Sequence, residues 1–170
     1  MAGDKTPLAD PRRIVIGADD AGVGLLEILR QDLVDLGLAV DAIVPSDLGA
    51  PDAVDYPDIA EQVASAIIAG TYDRGILICG TGIGMAITAN KMPGIRAAQA
   101  HDVYSAERAR KSNDAQIIAL GARVIGPEAA KTIVRAWLDS EFLGGASTRK
   151  VDKIVALERR VRGATGPVDD

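Results

Sequence analysis

The sequence from residue 75 to residue 84 reads Gly-Ile-Leu-Ile-Cys-Gly-Thr-Gly-Ile-Gly. Its first half is a short apolar run, which predicts a buried β-strand, and its second half is a glycine-rich loop. The pattern after the loop predicts a helix that begins at Met85. Cys79, the only cysteine of the chain, therefore lies close to a helix N-terminus, where backbone N–H groups favour an anion. A free cysteine is also often buried for packing alone, so a purely structural role stays open at this point.

Short apolar runs alternate with amphipathic segments along the chain, a pattern typical of an α/β domain with a parallel sheet. We expect residues 1–170 to form one three-layer α/β/α Rossmann-like domain around a five-stranded parallel sheet. The predicted strands are Arg13–Ala18, Ala39–Val44, Arg74–Ile78, Ile95–Gln99 and Gln116–Leu120. The predicted helices are two Leu- or Ile-rich segments ended by Gly37 and Gly70, then Met85–Lys91, Asp102–Lys111, Pro127–Leu138 and Lys150–Val161. Residues 1–11 are expected to be a loose leader and residues 163–170 a frayed tail.

Composition and charge exclude several classes of function. A net charge of −5 and a pI near 4.9 argue against a nucleic-acid-binding surface, which needs clustered Lys and Arg. No apolar run is long enough to span a membrane, and Met1–Pro11 lacks the apolar core of a signal peptide. A single cysteine excludes an intrachain disulfide and fits a cytoplasmic protein. Because the usual Cys and His ligands are missing, we expect no zinc site. We also expect no bound cofactor.

Several polar side chains follow the predicted strands at the point where each strand ends. In open α/β sheets, ligands bind at the carboxyl ends of the strands, so these side chains are expected to share one edge of the sheet. The residues concerned are Asp19 and Asp20, Cys79 to Gly84, His101, Asp102 and Arg123. A thiol, carboxylates, the only histidine and an arginine on one edge favour a catalytic role for Cys79.

The glycine-rich loop also has a nucleotide-binding interpretation, which fits poorly. Gly80-x-Gly82-x-Gly84 is not G-x-G-x-x-G, and it lacks the Gly-Lys-Ser/Thr ending of a P-loop. It follows the third predicted strand, whereas a dinucleotide-binding fingerprint usually opens its domain. The sequence therefore argues against a dehydrogenase.

Eight short segments, in this order, resemble one known family. They are Gly17-Ala18-Asp19-Asp20-Ala21-Gly22, Asp55-Tyr56-Pro57, Ile78-Cys79-Gly80-Thr81-Gly82-Ile83-Gly84, Ala89-Asn90-Lys91, Gly94-Ile95-Arg96-Ala97, Ser112-Asn113-Asp114-Ala115, Gly121-Ala122-Arg123-Val124-Ile125-Gly126 and Lys150-Val151. Together they are similar to the ribose-5-phosphate isomerase B and galactose-6-phosphate isomerase family, over about Ile14 to Ile154.

The resemblance implies a metal-independent aldose–ketose isomerase that works through a cis-enediolate. Cys79 would move a proton between C1 and C2 of a phosphorylated sugar, and Thr81 would relay protons between the two oxygens. The amides of Gly80, Gly82, Ile83 and Gly84 would hold the enediolate oxygen. The residues expected to bind substrate are Asp19, Asp20, Tyr56, Asn113, Arg123 (on the phosphate) and Lys150. Structural alternatives remain for three of these side chains: Thr81 could shape the turn, Tyr56 could be a core aromatic and Arg123 a solvated surface charge.

Members of the family pair as dimers in which part of each site comes from the neighbouring subunit. Lys150 falls in the segment that usually makes this contribution. The resemblance therefore implies a homodimer at least, and a tetramer is the larger assembly that the sequence leaves open.

The chain departs from the family pattern at positions expected around the substrate. Asp20 and Ser112 stand where histidines are typical, and Ala146, Ser147 and Lys150 replace a usual Arg-His…Arg cluster. The histidine replaced by Ser112 usually opens the sugar ring. His101 is the only imidazole of the chain that could substitute for it, and its alternative role is to cap the next helix.

A chemical interpretation of these losses concerns the length of the sugar. A four-carbon 4-phosphate cannot form the furanose ring, because its C4 oxygen is esterified, so erythrose 4-phosphate and erythrulose 4-phosphate need no ring-opening histidine. Residues 19–22, 101–108 and 112–114 resemble the branch of the family linked to tetrose phosphates in erythritol breakdown. A substrate with an altered phosphate position is a second interpretation. A non-catalytic sugar-phosphate binding protein is a third, although retention of Cys79, Thr81, Asn113 and Arg123 argues against it.

Overall fold

The computed structural model describes residues 12–49 and 53–164. All five strands of its sheet are parallel, in the order β2-β1-β3-β5-β4. The strands are β1 (Arg13–Ala18), β2 (Ala39–Ile43), β3 (Arg74–Cys79), β4 (Ala97–Gln99) and β5 (Ile117–Gly121). The helices are α1 (Val23–Asp35), α2 (Tyr56–Ile68), α3 (Ile83–Ala89), α4 (Val103–Asn113), α5 (Pro127–Leu138) and α6 (Thr148–Ala164). The predicted three-layer α/β/α fold is confirmed.

The two faces of the sheet carry separate apolar cores. Strands β3 and β5 are buried along their whole length, as expected for central strands of a parallel sheet covered on both sides. One core lies under α1, α4 and α5 and contains Leu26, Leu29 and Trp137. The other lies under α2 and α3 and contains Ile59 and Met85. This arrangement leaves the two edges of the sheet, where the strands begin and end, as the places for polar chemistry.

Several predicted boundaries differ from the observed ones by one to three residues, and three elements show the physical causes. Helix α3 begins at Ile83 rather than at Met85, because Gly82 has a φ of 79° and is the residue that precedes the helix. Strand β4 is shorter than predicted, since the Ile95 N–H donates to Met92 O in the preceding turn. Helix α6 begins before Lys150 and continues to Ala164, so Gly163 is helical rather than part of a tail. Residues 1–11 and 165–170, where the leader and the rest of the tail were expected, lie outside the described residues.

The edge where the strands begin is held together by ion pairs around Glu141. Its carboxylate accepts from Arg74 at 3.3 Å and from Arg110 at 3.5 Å, and it also pairs with Arg12. Arg74 and Arg110 are only 8% and 9% exposed. Burial and, to a smaller extent, the charge of the neighbouring Arg110 lower the pKa of Arg74 to about 10, while Glu141 opposes both effects. This edge is therefore a structural joint between β1, β3 and the end of α4.

Candidate active site

Cys79 lies at the end of β3 and is 5% exposed. Its sulfur accepts a hydrogen bond from the Gly82 N–H at 3.1 Å. A hydrogen bond from a backbone N–H favours the negatively charged thiolate, which is the form of cysteine that acts as a base or nucleophile. The next N–H along the chain, that of Ile83, donates to the Thr81 hydroxyl oxygen at 3.3 Å. The hydroxyl proton of Thr81 is thereby left for another partner.

The loop can take this shape because its glycines fit where larger residues would collide. Gly82 has a φ of 79°, and a Cβ atom there would lie 2.9 Å from the backbone carbon of Leu120. A Cβ atom on Gly84 would lie 2.5 Å from the ring of Tyr56. Two of the four amides expected to hold an oxyanion, those of Gly82 and Ile83, donate to side chains within the loop itself.

Tyr56 begins α2, and its ring leans against the backbone of Gly84. The residue is 41% exposed. The Tyr56 side chain therefore packs against the glycine-rich loop. It is not part of the core, which was the structural alternative expected for it.

Arg123 follows β5 and covers the other side of the loop. Its backbone N–H donates to Gly80 O at 3.0 Å, and its Nη1 would be 3.5 Å from a Cβ atom on Gly80. The guanidinium is thus held beside the same turn that carries Cys79. A planar cation in this position is suited to binding a phosphate or an oxyanion.

Asp19 follows β1 and forms hydrogen bonds to β3 and to the turn that precedes α1. Its N–H donates to Ile78 O at 3.2 Å, and its Oδ1 accepts from the Gly22 N–H at 3.1 Å. Burial raises the pKa of Asp19, while the N–H groups of Gly22 and Ala21 and the charge of Arg123 act in the opposite direction. Asp20, the next residue, is exposed.

His101 lies at the same edge, and its ring is held by the backbone. Its Nε2 accepts from the Gly121 N–H at 2.9 Å, so this nitrogen carries no proton in the arrangement observed. Only Nδ1 is left to contact a substrate. The residue that caps α4 is Asp102, whose Oδ1 accepts from the Ser105 N–H at 2.7 Å. Hydrogen bonds from the side chain and the N–H of Ser105 lower the pKa of Asp102.

Gln99 was not singled out from the sequence, yet it touches the loop directly. It ends β4, and its Nε2 donates to Thr81 O at 2.8 Å. A glutamine on an edge strand matches no catalytic motif. The signal that could have found it is the rule used for the other residues, since Gln99 also stands at the carboxyl end of a strand.

Asn113 and Lys150 lie at the opposite edge of the sheet. Helix α4 runs back from the end of β4 to the start of β5, and Asn113, its last residue, accepts through its backbone oxygen from Arg96 at 2.9 Å. Lys150 is in the first turn of α6, and the segment before that helix is joined to α4 by a bond from Leu143 N–H to Lys111 O. The length of β5 separates this edge from Cys79 by about 13 Å. One chain does not bring these two residues to the thiol.

Comparison with known proteins decides the family. The family model described as Ribose/Galactose Isomerase matches residues 14–154. The chain belongs to this family. The matched range includes the glycine-rich loop, both edges of the sheet and the beginning of α6.

Relatives of this isomerase family match nearly the whole chain. It is 57% identical over 147 residues to D-erythrulose-4-phosphate isomerase of Pectobacterium atrosepticum, covering 86% of this chain and 95% of the relative. It is 51% identical to ribose-5-P isomerase B of Listeria innocua, covering 88% and 99%. The structure of Clostridium thermocellum ribose-5-phosphate isomerase B superposes with a TM-score of 0.81 at 43% identity, covering 88% and 99%. The family resemblance expected from the sequence is therefore confirmed.

Within residues 12–49 and 53–164, no group of three or more His, Cys, Asp or Glu side chains is placed to hold a metal ion. In the same ranges, no helix combines the length and the apolar character needed to cross a bilayer.

Proposed function

We propose that this chain interconverts the aldose and ketose forms of a phosphorylated sugar, with Cys79 as the group that moves the proton. The observation that carries the proposal is the geometry of the thiol. Cys79 ends a buried strand at the ligand-binding edge of the sheet, and the Gly82 N–H donates to its sulfur. Similarity to relatives named as sugar-phosphate isomerases over most of the chain supports the same reaction.

The reaction would proceed through a cis-enediolate. In the aldose-to-ketose direction, the Cys79 thiolate takes the proton from C2, and the electron pair of the C2–H bond forms the C1–C2 double bond. Charge then develops on the C1 oxygen, where the N–H groups of the loop that do not donate to Cys79 or Thr81 stabilise it. The thiol returns its proton to C1, and the hydroxyl proton on O2 moves to the other oxygen, for which the Thr81 hydroxyl is placed. Bond and proton counts are thus conserved without an added reactant.

Side chains around the loop would fix the substrate. The Asp19 carboxylate and the Tyr56 hydroxyl are suited to the sugar hydroxyls, and the Arg123 guanidinium to the phosphate. Asp20 is exposed at the same edge, so its carboxylate is accessible to a sugar hydroxyl. Each assignment predicts a higher KM on truncation, measured by steady-state kinetics, and an unchanged KM in Arg123→Ala would exclude the phosphate role.

A second copy of the chain would complete the site. Asn113 and Lys150 lie at the opposite edge of the sheet from Cys79, so they can meet the same substrate only if another subunit supplies them. Exposed apolar residues support such pairing, since Ile154, Leu157 and Val161 form a stripe on α6 and Ile83 and Ile87 lie beside the loop. We therefore propose a homodimer with shared sites.

The preferred substrate is proposed to be a four-carbon sugar phosphate, of the erythrose 4-phosphate and erythrulose 4-phosphate type. The ring-opening histidine is replaced by Ser112, and His101 has one nitrogen engaged by Gly121. A relative at 57% identity is named D-erythrulose-4-phosphate isomerase. An open-chain substrate needs no ring-opening imidazole at position 112 or 101. Loss of turnover in His101→Gln as severe as in Cys79→Ala would contradict this assignment, because Gln keeps an acceptor for the Gly121 N–H.

The decisive experiment compares kcat/KM for erythrulose 4-phosphate and ribose 5-phosphate, with solvent-deuterium incorporation as a second readout. We expect faster turnover of the four-carbon substrate, and deuterium exchange that Cys79→Ala lowers by about 10²–10⁴-fold. Faster turnover of ribose 5-phosphate would refute the substrate proposal alone. A wild-type protein that binds sugar phosphates without any exchange would instead be a binding protein.

A cytoplasmic location is proposed because the chain has a single cysteine and so cannot form an intrachain disulfide.

A further inference from the structure

The peptide unit between Thr81 and Gly82 has a hydrogen-bond partner on each side. Its N–H donates to the Cys79 sulfur at 3.1 Å, and its carbonyl accepts from Gln99 Nε2 at 2.8 Å. Because the C=O and N–H of a trans peptide point in opposite directions, fixing one of them fixes the other. The orientation of the amide that faces the thiol is thus coupled to a side chain on β4.

Without these partners, this peptide unit could rotate between two turn conformations. Gly82 has φ 79° and ψ −11°, the values of the third residue of a type II turn. A type II turn becomes a type I turn when its central peptide rotates by about 180°, which changes the sign of φ at that residue. Glycine adopts both signs with similar ease, so Gly82 itself offers little resistance to the rotation. After such a rotation the Thr81 carbonyl would face the sulfur, where it would repel a thiolate.

We infer that Gln99 is a positioning residue that holds the Thr81–Gly82 peptide with its N–H on Cys79, and so keeps the thiol in its reactive form. The assignment of Nε2 as the donor follows from chemistry, since a carbonyl oxygen can only accept. The Thr81 carbonyl also lies against the backbone of Gly121, where an added Cβ would be 2.7 Å from Thr81 O, but a glycine has no side-chain donor to hold it. Tyr56 covers Gly84 and Arg123 covers Gly80, on either side of the peptide, whereas the bond from Gln99 reaches the carbonyl itself. The inference rests on the proposed role of Cys79 as the base, but its test needs no substrate.

The reactivity of the thiol provides that test. Cys79 is the only cysteine of the chain, so alkylation by iodoacetamide reports on this sulfur alone. The rate is measured against pH for the wild type and for two uncharged variants that have no donor for the carbonyl, Gln99→Leu and Gln99→Met. Gln31→Leu is the matched control, because Gln31 donates to the side chain of Asp35 on α1, away from the site. Thermal unfolding followed by circular dichroism verifies that each variant is folded.

We expect both Gln99 variants to react about three- to tenfold more slowly near neutral pH, the size of one lost hydrogen bond. The difference should be confined to the lower part of the pH profile, and the rates at high pH should coincide, because the thiol is then ionised in every variant and access to the sulfur is the same. A crystal structure of Gln99→Leu should show the Thr81–Gly82 peptide rotated. With substrate, kcat should fall and KM should change little.

Two results would overturn the inference. The first is that the alkylation rate of both Gln99 variants depends on pH as it does for the wild type and Gln31→Leu. The second is that only the rate at high pH changes, which would mean that the variants alter access to the sulfur alone. Failure of the proposed isomerase function would look different, since the wild type would then alkylate with the expected dependence on Gln99 and yet turn over no sugar phosphate.

Discussion

Subunit complementation tests whether Cys79 and Asn113 serve one site. In a single chain these residues lie at opposite ends of β5, whose length of about 13 Å is far beyond the reach of an asparagine side chain. If both residues contact one substrate, Asn113 has to come from the partner subunit. A dimer of one Cys79→Ala chain and one Asn113→Ala chain would then contain one doubly defective site and one intact site.

The expected activities follow from counting sites. Cys79→Ala should lose about 10³-fold in kcat and Asn113→Ala roughly tenfold, the effects of losing a proton carrier and one hydrogen bond. Equal amounts of the two variants, kept as separate homodimers, should show about one-twentieth of wild-type activity. After the subunits exchange freely, half of the dimers are mixed and half of their sites are intact, so the activity should rise to about a quarter.

The assay measures isomerase activity of the mixture before and after joint unfolding and refolding. The control mixes wild type with a chain that carries both substitutions, and its activity should fall on exchange from about half to about a quarter. Sites built within single chains would leave both mixtures unchanged. That result would refute the placement of Asn113 in a shared site and, with it, the proposed contribution of a second copy.

Three further predictions concern stability, measured by chemical denaturation. Gly84→Ala should destabilise the fold by about 1–3 kcal/mol, because the added Cβ would lie 2.5 Å from the Tyr56 ring. A second substitution, Tyr56→Ala, should recover most of this loss of stability. If the loss persists in the double variant, the strain does not come from the Tyr56 ring. Glu141→Gln should destabilise by about 1–3 kcal/mol, since buried arginines lose their countercharge although Glu141 itself is 55% exposed. The control Glu128→Gln, at an ion pair whose carboxylate is 85% exposed, should change stability by less than about 0.5 kcal/mol, and equal effects would contradict the role of burial. Burial raises the pKa of Asp19, so the folded state binds its proton more tightly than the unfolded chain and wild-type stability should fall as the pH rises through that pKa. Asp19→Asn should therefore be more stable than wild type at pH 7, with a difference that shrinks toward pH 4, and a pH-independent difference would count against this cause.

Most of the fold could be predicted from the sequence because local patterns specify it. Central parallel strands are buried on both faces and so appear as unbroken apolar runs, as in β3 and β5. Helix ends were marked by glycines that adopt positive φ, as Gly37 and Gly70 do here. The start of α3 was predicted two residues too late, because Ile83 and Gly84 belong to both the glycine-rich motif and the helix.

The candidate site was predictable in part, for a topological reason. The rule that ligands bind at the carboxyl ends of parallel strands placed Asp19, Cys79, His101 and Arg123 at one edge, as observed. It says nothing about a residue that reaches an edge at the end of a helix. Asn113 was therefore grouped with the others on family resemblance alone. The structure places it at the opposite edge of the sheet, where the strands begin.

The sequence by itself determined the fold class, the family and the position of the thiol between a strand and a glycine-rich loop, since these depend on local spacing and on ordered motifs. The tertiary structure decided which groups the loop contacts. Gln99 and Tyr56 reach the loop from elements 18 and 28 residues away from Thr81 and Gly84, respectively. Such contacts depend on how the sheet orders its strands, with β5 inserted between β3 and β4, and no local pattern records that order.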